Sequence, residues 1–437
     1  MKTISILVNK TASFLLKLIH RGGSMPGTLA LKCDKDILKK LTIKGKVIVV
    51  TGTNGKTSTS NMICETLLHA NQKVISNRKG DNLKDGITTQ LLNNCSLNGV
   101  LECDYCVFEC DELNVPYIVK HIPVDALVIT NFFRDQLDRA QEMEQLIGKL
   151  ESALEDFKGT LVLNANDPNV TRFAKKCPNA NAVYFAMNQC ESSSKDGNEA
   201  SEGKFCPFCN SKINYTYYQY SHIGEFACPN CDFKTPTNKH SGTLISLKDN
   251  TFSYDGITFK ASQDGLYTMY NCMAVLSVAK LFDIDIEHAK AVFAQMEIPA
   301  GRNETFVYQG HNLIMNLIKN PTGANEVMKV VETDDSLKTI LFVINDNWGD
   351  GIDISWLYDT AFEKIIRDDT IQIICSGTRA YDMALRLKYG GWSQAISIYE
   401  NLDDACDALL KAETTRYAIV TYSALANTRK LLRRKMK

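Results

Sequence analysis

Two groups of residues in this chain have types and spacings suited to chemistry. The first is Gly52-Thr53-Asn54-Gly55-Lys56-Thr57, directly after the apolar run "KVIVVT" at 46–51. Glycines let backbone N–H groups close on an anion, and a helix N-terminus favours negative charge. Lys56 can reach the terminal phosphates of a nucleotide, and the Thr57 hydroxyl can join a Mg2+ shell. A Walker A loop would place its first glycine five residues before Gly55, but Val50 stands there. The loop is of phosphate-binding type, in a shorter form.

The second group is Cys206-Pro-Phe-Cys209 and Cys228-Pro-Asn-Cys231, two C-x-x-C pairs with 18 residues between them. Each pair can present two thiolates from a tight knuckle, and two knuckles close a tetrahedral Zn2+ site. With sulfur at all four positions no place is left for water, so the metal is structural. A pair of redox dithiols is the alternative. The segment between the pairs is aromatic without a basic cluster, which disfavours nucleic acid as a ligand. Most other cysteines, such as Cys64, Cys106, Cys272 and Cys375, lie in apolar surroundings and read as buried thiols of a reducing compartment.

The elements around the loop must place it at a sheet edge. "KVIVVT" reads as a buried parallel strand, and the stretch from Thr57 as a helix opening on hydroxyl residues. "KVIS" (73–76), "YCVFE" (105–109), "DALVIT" (125–130) and "GTLVLN" (159–164) read as further strands, and 137–157 as a helix. Strands alternating with helices predict an α/β fold with a parallel sheet covered on both faces. Residues 188–204 read as a polar loop, and 243–261 as alternating strands with a tight turn at Asp255-Gly256. After residue 300 a second α/β pattern starts, with strands at 339–346, 370–377, 394–399 and 417–422. Helices are expected there at "ISWLYDTAFEKII" and "DDACDALLKA". The expected organisation is a helical segment at 1–40, a nucleotide domain at 41–300 with a ribbon insert near 203–236, and a Rossmann-like α/β domain at 301–437.

The 437 residues carry a formal net charge of −1 and are 44% hydrophobic. That balance is globular and gives no bulk attraction to nucleic acid. No apolar run is long enough to span a bilayer. The first 20 residues lack the core and cleavage site of a signal peptide and read as a helix packed on the body, with membrane-surface docking as the alternative. The basic stretch "RKLLRRKMK" (429–437) reads as a solvated helix end before a lipid contact.

The string from Gly52 to Thr57 resembles the shortened ATP loop of the Mur ligase superfamily. "VFECDE" at 107–112, "TNFFRDQLDR" at 130–139, "LNANDP" at 163–168 and "PAGRNE" at 299–304 match other segments of that superfamily in order. The resemblance implies that Gly52, Thr53, Asn54, Gly55, Lys56 and Thr57 bind ATP. It also implies that Glu109 and Thr57 hold Mg2+, that Asn271 contacts adenine, and that Arg302 helps bind the phosphates. Gln136 stands where amino-acid-adding Mur ligases have a metal-binding histidine. Asn316 and Lys319 replace the acid and histidine of their D-Y-A-H-N-P segment, which argues against a plain amino-acid-adding ligase.

With the four cysteines, "KNPTG", "DGIDISW" (350–356) and "SGTRAYDMALRL" (376–387), the chain is similar over nearly its whole length to the MurT family. These are the synthetase subunits of lipid II isoglutaminyl synthases. The resemblance implies ATP-driven amidation of the D-glutamate α-carboxyl in the lipid II stem peptide, through an acyl phosphate, at the inner face of the cell membrane. Ammonia would come from a separate glutamine amidotransferase subunit, GatD. No cysteine here sits in a glycine-flanked elbow, as a glutaminase nucleophile would. Asp353 would lie against the Cys–His pair of that partner, and its alternative role is a helix cap. The alternatives for the whole chain are another Mur-type ligase that adds an amino acid, and a regulatory nucleotide-binding protein.

Overall fold

The computed structural model describes residues 1–18, 23–77, 81–133, 143–196, 202–262, 265–296, 303–347 and 349–436. The chain divides into two compact units. One holds Met1–Phe133 with Glu144–Met296, and the other holds the chain after Met296.

The first unit is built on a nine-stranded sheet. Its strands are β1 (Lys46–Thr51), β2 (Val74–Ser76), β3 (Tyr105–Glu109), β4 (Ala126–Ile129), β5 (Thr160–Asn164) and β6 (Asn181–Met187). A hairpin of β7 (Asn214–Tyr220) and β8 (Ile223–Ala227) stands apart from it, and β9 (His240–Ser246), β10 (Thr251–Tyr254) and β11 (Ile257–Lys260) complete it. The order is β11-β10-β9-β6-β5-β4-β1-β3-β2. Pairing is parallel from β2 to β9, and β10 and β11 add an antiparallel edge. Asp255 and Gly256 both have positive φ, 52° and 76°, and close the β10–β11 hairpin as their residue types predict.

Val47 to Val50 of β1 are fully buried, as a strand covered on both faces must be. One cover is helix α3 (Lys56–His69), which buries Met62, Ile63 and Leu67. Helix α5 (Leu266–Leu281) is apolar around its whole circumference and is almost entirely buried, the mark of a core helix. Helices α1 (Lys2–Leu18) and α2 (Met25–Cys33) lie against each other and against α4 (Lys84–Asn94). Asn9 donates to the Asn93 side chain at 2.9 Å.

The second unit has a six-stranded sheet of order β12-β13-β17-β14-β15-β16. Its strands are β12 (Glu304–Tyr308), β13 (His311–Leu317), β14 (Lys338–Val343), β15 (Thr370–Ser376), β16 (Ile396–Tyr399) and β17 (Thr415–Val420). Only the β12–β13 hairpin is antiparallel. Helices α7 (Pro321–Glu332), α8 (Ala380–Tyr389), α9 (Leu402–Leu410) and α10 (Tyr422–Lys435) flank it; α6 (Glu287–Gln295) belongs to the first unit.

The helix expected over "ISWLYDTAFEKII" is instead two short 3-10 turns, Ser355–Asp359 and Phe362–Ile365. The buried Arg386 explains this. Its guanidinium donates to the Leu357 and Thr360 carbonyls at 2.9 and 2.7 Å, oxygens that a continuous α-helix would use itself. The basic end of α10 is tied to acids: Arg429 and Arg433 to Glu304, Arg434 and Lys435 to Asp403. Among the described residues no helix is long and apolar enough to cross a membrane.

Candidate active site

Strand β1 lies between β3 and β4, so the loop after it opens where the strand order reverses. Ligands of open α/β sheets bind at that point, beyond the carboxyl ends of the strands. Gly52 has φ +120°, and a Cβ there would stand 2.3 Å from Thr130 Oγ1 and 2.8 Å from the Asn131 carbonyl oxygen. Gly55 has φ +83° and caps α3; its Cβ would stand 2.2 Å from Asn271 Oδ1. Both positions therefore require glycine, for backbone angle and for space.

The strand after the neighbouring crossover holds the loop closed. Thr53 N–H donates to the Asn131 carbonyl at 2.9 Å and Asn54 N–H to Asn131 Oδ1 at 2.9 Å. Thr130 Oγ1 donates to the Asn54 carbonyl at 2.8 Å, and Phe133 N–H to Thr53 Oγ1 at 3.0 Å. Lys56 Nζ donates to the Gly52 and Thr53 carbonyls and pairs with Glu112 at 3.1 Å. Glu112 is buried, and burial pushes its carboxyl up although the Lys56 ammonium opposes this.

Glu109 is the last residue of β3, in register with Val50 of β1, which places it beside the loop. Asn77 brackets its backbone, accepting from Glu109 N–H at 2.9 Å and donating to its carbonyl at 2.8 Å. Asn82 donates to Glu109 Oε1 at 3.0 Å. Thr57, at the first turn of α3, is exposed. An exposed hydroxyl and a fixed carboxylate at the mouth of an anion cradle form a donor set that suits Mg2+.

"LNANDP" forms a junction behind the loop. Asn164 donates to the Thr130 carbonyl at 3.1 Å, and Asp167 accepts from Phe132 N–H at 3.0 Å. Asn166 accepts from Tyr270 Oη at 2.9 Å, next to Asn271, and donates to the Gly224 carbonyl at 3.1 Å. His222, at the β7–β8 turn, meets Asp167 Oδ1 at 3.2 Å, both fully buried. Burial alone would hold this imidazole neutral, but the Asp167 carboxylate outweighs that and leaves it more basic than usual.

The four cysteines at the open end of the same hairpin bring their Sγ atoms within 4.8 Å of one another. Three separations are 3.5, 3.4 and 3.8 Å. Four thiolates about 2.3 Å from a central Zn2+ fit such spacing. Ser211 and its backbone pull the exposed Cys209 thiol down to about 6. Ile213, Phe226 and Phe233 form a small core behind the knuckles.

Asp353 belongs to the second unit. Its Oδ1 accepts Ser355 N–H at 2.8 Å, the cap geometry that its position before "ISWLYD" allows. The preceding Asp350 is buried and accepts Ser423 N–H at 2.7 Å, which anchors the loop to α10. Asn316, at the end of β13, accepts Asn303 N–H at 2.8 Å, and its buried Nδ2 has no partner among the described residues. Arg302 and Gln136 lie outside the described residues.

The structure thus brings together Gly52, Thr53, Asn54, Gly55, Lys56, Thr57, Glu109 and Asn271, and separately the four cysteines. Sequence reasoning missed Glu112, Asn77, Asn82, Asn166 and His222. The run of acids in "ECDE" was a signal for Glu112; the others act through partners far away in the chain.

A parallel sheet with this loop at its switch point and a second α/β unit is the Mur ligase fold. The chain shares it with a pseudomurein peptide ligase type C from Methanothermus fervidus (TM-score 0.73, 20% identity, covering 92% of this chain and 81% of that one). MurF from Acinetobacter baumannii superposes with a TM-score of 0.60 at 15% identity, over 93% and 80%. The Mur ligase middle domain family matches residues 50–233, and the MurT ligase C-terminal family matches 317–425. The chain belongs to the MurT family. It is 32% identical over 413 residues to the lipid II isoglutaminyl synthase (glutamine-hydrolyzing) subunit MurT of Staphylococcus aureus strain COL, covering 93% of this chain and 92% of that one. The Streptococcus pneumoniae R6 subunit of the same name is 31% identical over 436 residues, 98% and 96% of the two chains.

Proposed function

We propose that this chain is the synthetase subunit of a lipid II isoglutaminyl synthase. The single observation that carries the reading is the phosphate cradle. Gly52 and Gly55 cannot bear a side chain, Lys56 is held at the loop, and Glu109 is fixed beside it, in a chain similar end to end to MurT subunits.

The Gly52–Thr57 amides and Lys56 would take the ATP phosphates, with Asn271 at the base. Thr57 and Glu109 would hold Mg2+, which neutralises charge on the phosphates when bound. Lys56 would exchange Glu112 and the loop carbonyls for phosphate oxygens. A carboxylate is a poor electrophile, so the reaction must first activate it. An oxygen of the substrate's D-glutamate α-carboxylate bonds to the γ-phosphorus as the bond to ADP breaks. Ammonia then attacks the acyl carbon, phosphate leaves with the C–O bond's electron pair, and a proton is lost to give the amide. Cationic groups offset the charge that develops, and holding carboxylate and phosphate in line removes much of the entropic barrier.

Ammonia would come from a glutaminase subunit of GatD type, with Asp353 facing that partner. Asn316 and Lys319, in place of the acid and histidine of amino-acid-adding ligases, fit ammonia as the nucleophile. The Cys206, Cys209, Cys228 and Cys231 knuckles would hold a structural Zn2+. The site of action would be the inner face of the cell membrane.

The test is amidation of lipid II by the purified chain with ATP and Mg2+, read by mass spectrometry. Amide from ammonium, and from glutamine only with the partner added, is expected. Transfer of an amino acid instead, or no product with ATP bound, would overturn the reading.

A further inference from the structure

Helix α1 is packed the wrong way round for a soluble surface helix. The side chains it buries are Ser5, Ile6, Asn9 and Ser13. The face it turns outward holds Ile4, Leu7, Phe14, Leu15 and Leu18, with Phe14 at 63% and Leu18 at 64% exposed. At 100° per residue these five fall on one side, opposite the buried Ser5, Asn9 and Ser13. The inner face does not compensate by perfect pairing. Ser5 Oγ, Ser13 Oγ and Asn9 Oδ1 are buried with no partner among the described residues. A helix that leaves polar atoms unsatisfied inside and an apolar stripe outside, broken only by Thr11, has that stripe for a purpose.

Charge selects the occupant. Residues 1–33 contain Lys2, Lys10, Lys17, Arg21 and Lys32 and no acid. Lys2 and Lys10 turn to the body, donating to the carbonyls of Lys40 and Asn93, while Lys17 and Lys32 are exposed. A second copy of this face would bring like charges together, whereas an anionic bilayer surface answers both the apolar stripe and the lysines. The basic end of α10 is a contrast, since acids of its own unit neutralise it.

We infer that the outer face of α1 docks the chain on an anionic membrane surface. The stripe enters the headgroup–acyl boundary, and the exposed Lys17 and Lys32 supply attraction to lipid phosphates. This deepens the proposed function and rests on it only for its purpose, which is to hold the site at a lipid-linked substrate.

The experiment is co-sedimentation of the full chain with phosphatidylglycerol/phosphatidylcholine vesicles that contain no lipid II. The comparisons are pure phosphatidylcholine vesicles and the Leu7→Glu/Phe14→Glu variant. Both substituted side chains are exposed, so circular dichroism and the melting shift given by ATP should match the parent. Binding that needs the anionic lipid, weakens with salt, and falls about tenfold or more in the variant supports the docking face. Three results overturn it: no vesicle binding, binding that the variant retains, or self-association that the variant abolishes without vesicle binding. Amidation of detergent-dispersed lipid II by the same variant separates the two ideas. A chain that binds vesicles but never amidates would sink the proposed reaction and leave the docking face standing.

Discussion

Replacing Gly52 with alanine should disable the phosphate loop while leaving the sheet beneath it intact. The magnitude follows from two separate penalties. At φ +120° a residue with a Cβ is strained by about 1–3 kcal/mol. The new Cβ would also meet Thr130 Oγ1 at 2.3 Å and the Asn131 carbonyl and amide nitrogen at 2.8 and 3.0 Å. Thr130 can rotate, but the Asn131 backbone cannot withdraw without loosening its bonds to Thr53 and Asn54. Two such bonds are worth about 1 kcal/mol each. The free loop can relax to escape this cost, but closing on a phosphate restores it. The sum, about 3–5 kcal/mol, should therefore appear in binding as a loss of roughly a hundred-fold to a few thousand-fold. Isothermal titration with ATP and Mg2+ reads it directly, and far-UV circular dichroism checks the fold. Adding Thr130→Ala removes one clash of the three, so it should recover only part of the loss. ATP affinity within about threefold of the parent in Gly52→Ala would refute the reasoning, because the loop would then not be where phosphate binds.

Lys56→Met should abolish ATP turnover and leave Glu112 buried without its cation. A denaturation series should show a loss of about 3 kcal/mol at most, since the raised Glu112 carboxyl can take a proton instead, and Glu112→Gln on top should restore stability without activity. Asp353→Asn keeps an acceptor for Ser355 N–H; amidation from ammonium should stay near the parent rate while amidation from glutamine with the partner is lost. Equal loss of both would make Asp353 a cap alone. His222 is held more basic in the fold by Asp167, so its stabilisation is complete below the ordinary histidine value of about 6.5 and is lost as pH rises through the folded value. Melting temperature should fall over that window in the parent and stay flatter in His222→Gln; parallel curves would show that the imidazole does not titrate.

The strand, glycine loop and helix at 46–69 were legible because their pattern is local. Glycines, lysine and hydroxyl follow one another, and the strand before them is uniformly apolar. The cysteine knuckles were legible for the same reason, as were the β10–β11 turn at Asp255-Gly256 and the strand ending in Glu109. The β12–β13 hairpin uses the same turn at Gln309-Gly310, φ 50° and 76°, but its glutamine is a poor turn signal. "ISWLYDTAFEKII" has helical spacing, and what defeats the helix is Arg386, more than 20 residues downstream. The outward apolar face of α1 was also hidden. Its periodicity is that of any amphipathic helix, and only the packing shows which side is in.

The four-cysteine ribbon and the glycine loop after β1 look independent in the sequence, and the junction at "LNANDP" makes them neighbours. The cysteines close one end of the β7–β8 hairpin, and the other end plugs His222 and Gly224 into Asp167 and Asn166. Asp167 in turn holds Phe132 N–H, and the next residue, Phe133, is bonded to Thr53 of the loop. A two-stranded hairpin is marginal in water without further support, and a metal held by the four cysteines would supply that support. Removing the metal with a chelator, or replacing Cys209 and Cys231 with serine, should therefore release the hairpin and loosen Asp167. Hydrogen exchange should show the amides of 214–227 losing protection. ATP affinity should fall about tenfold, the worth of one hydrogen bond to a buried charged group. His222→Ala, with the metal site intact, should give a similar fall. If the hairpin opens and ATP binds as before, the ribbon is a separate module and the junction only covers buried polar atoms.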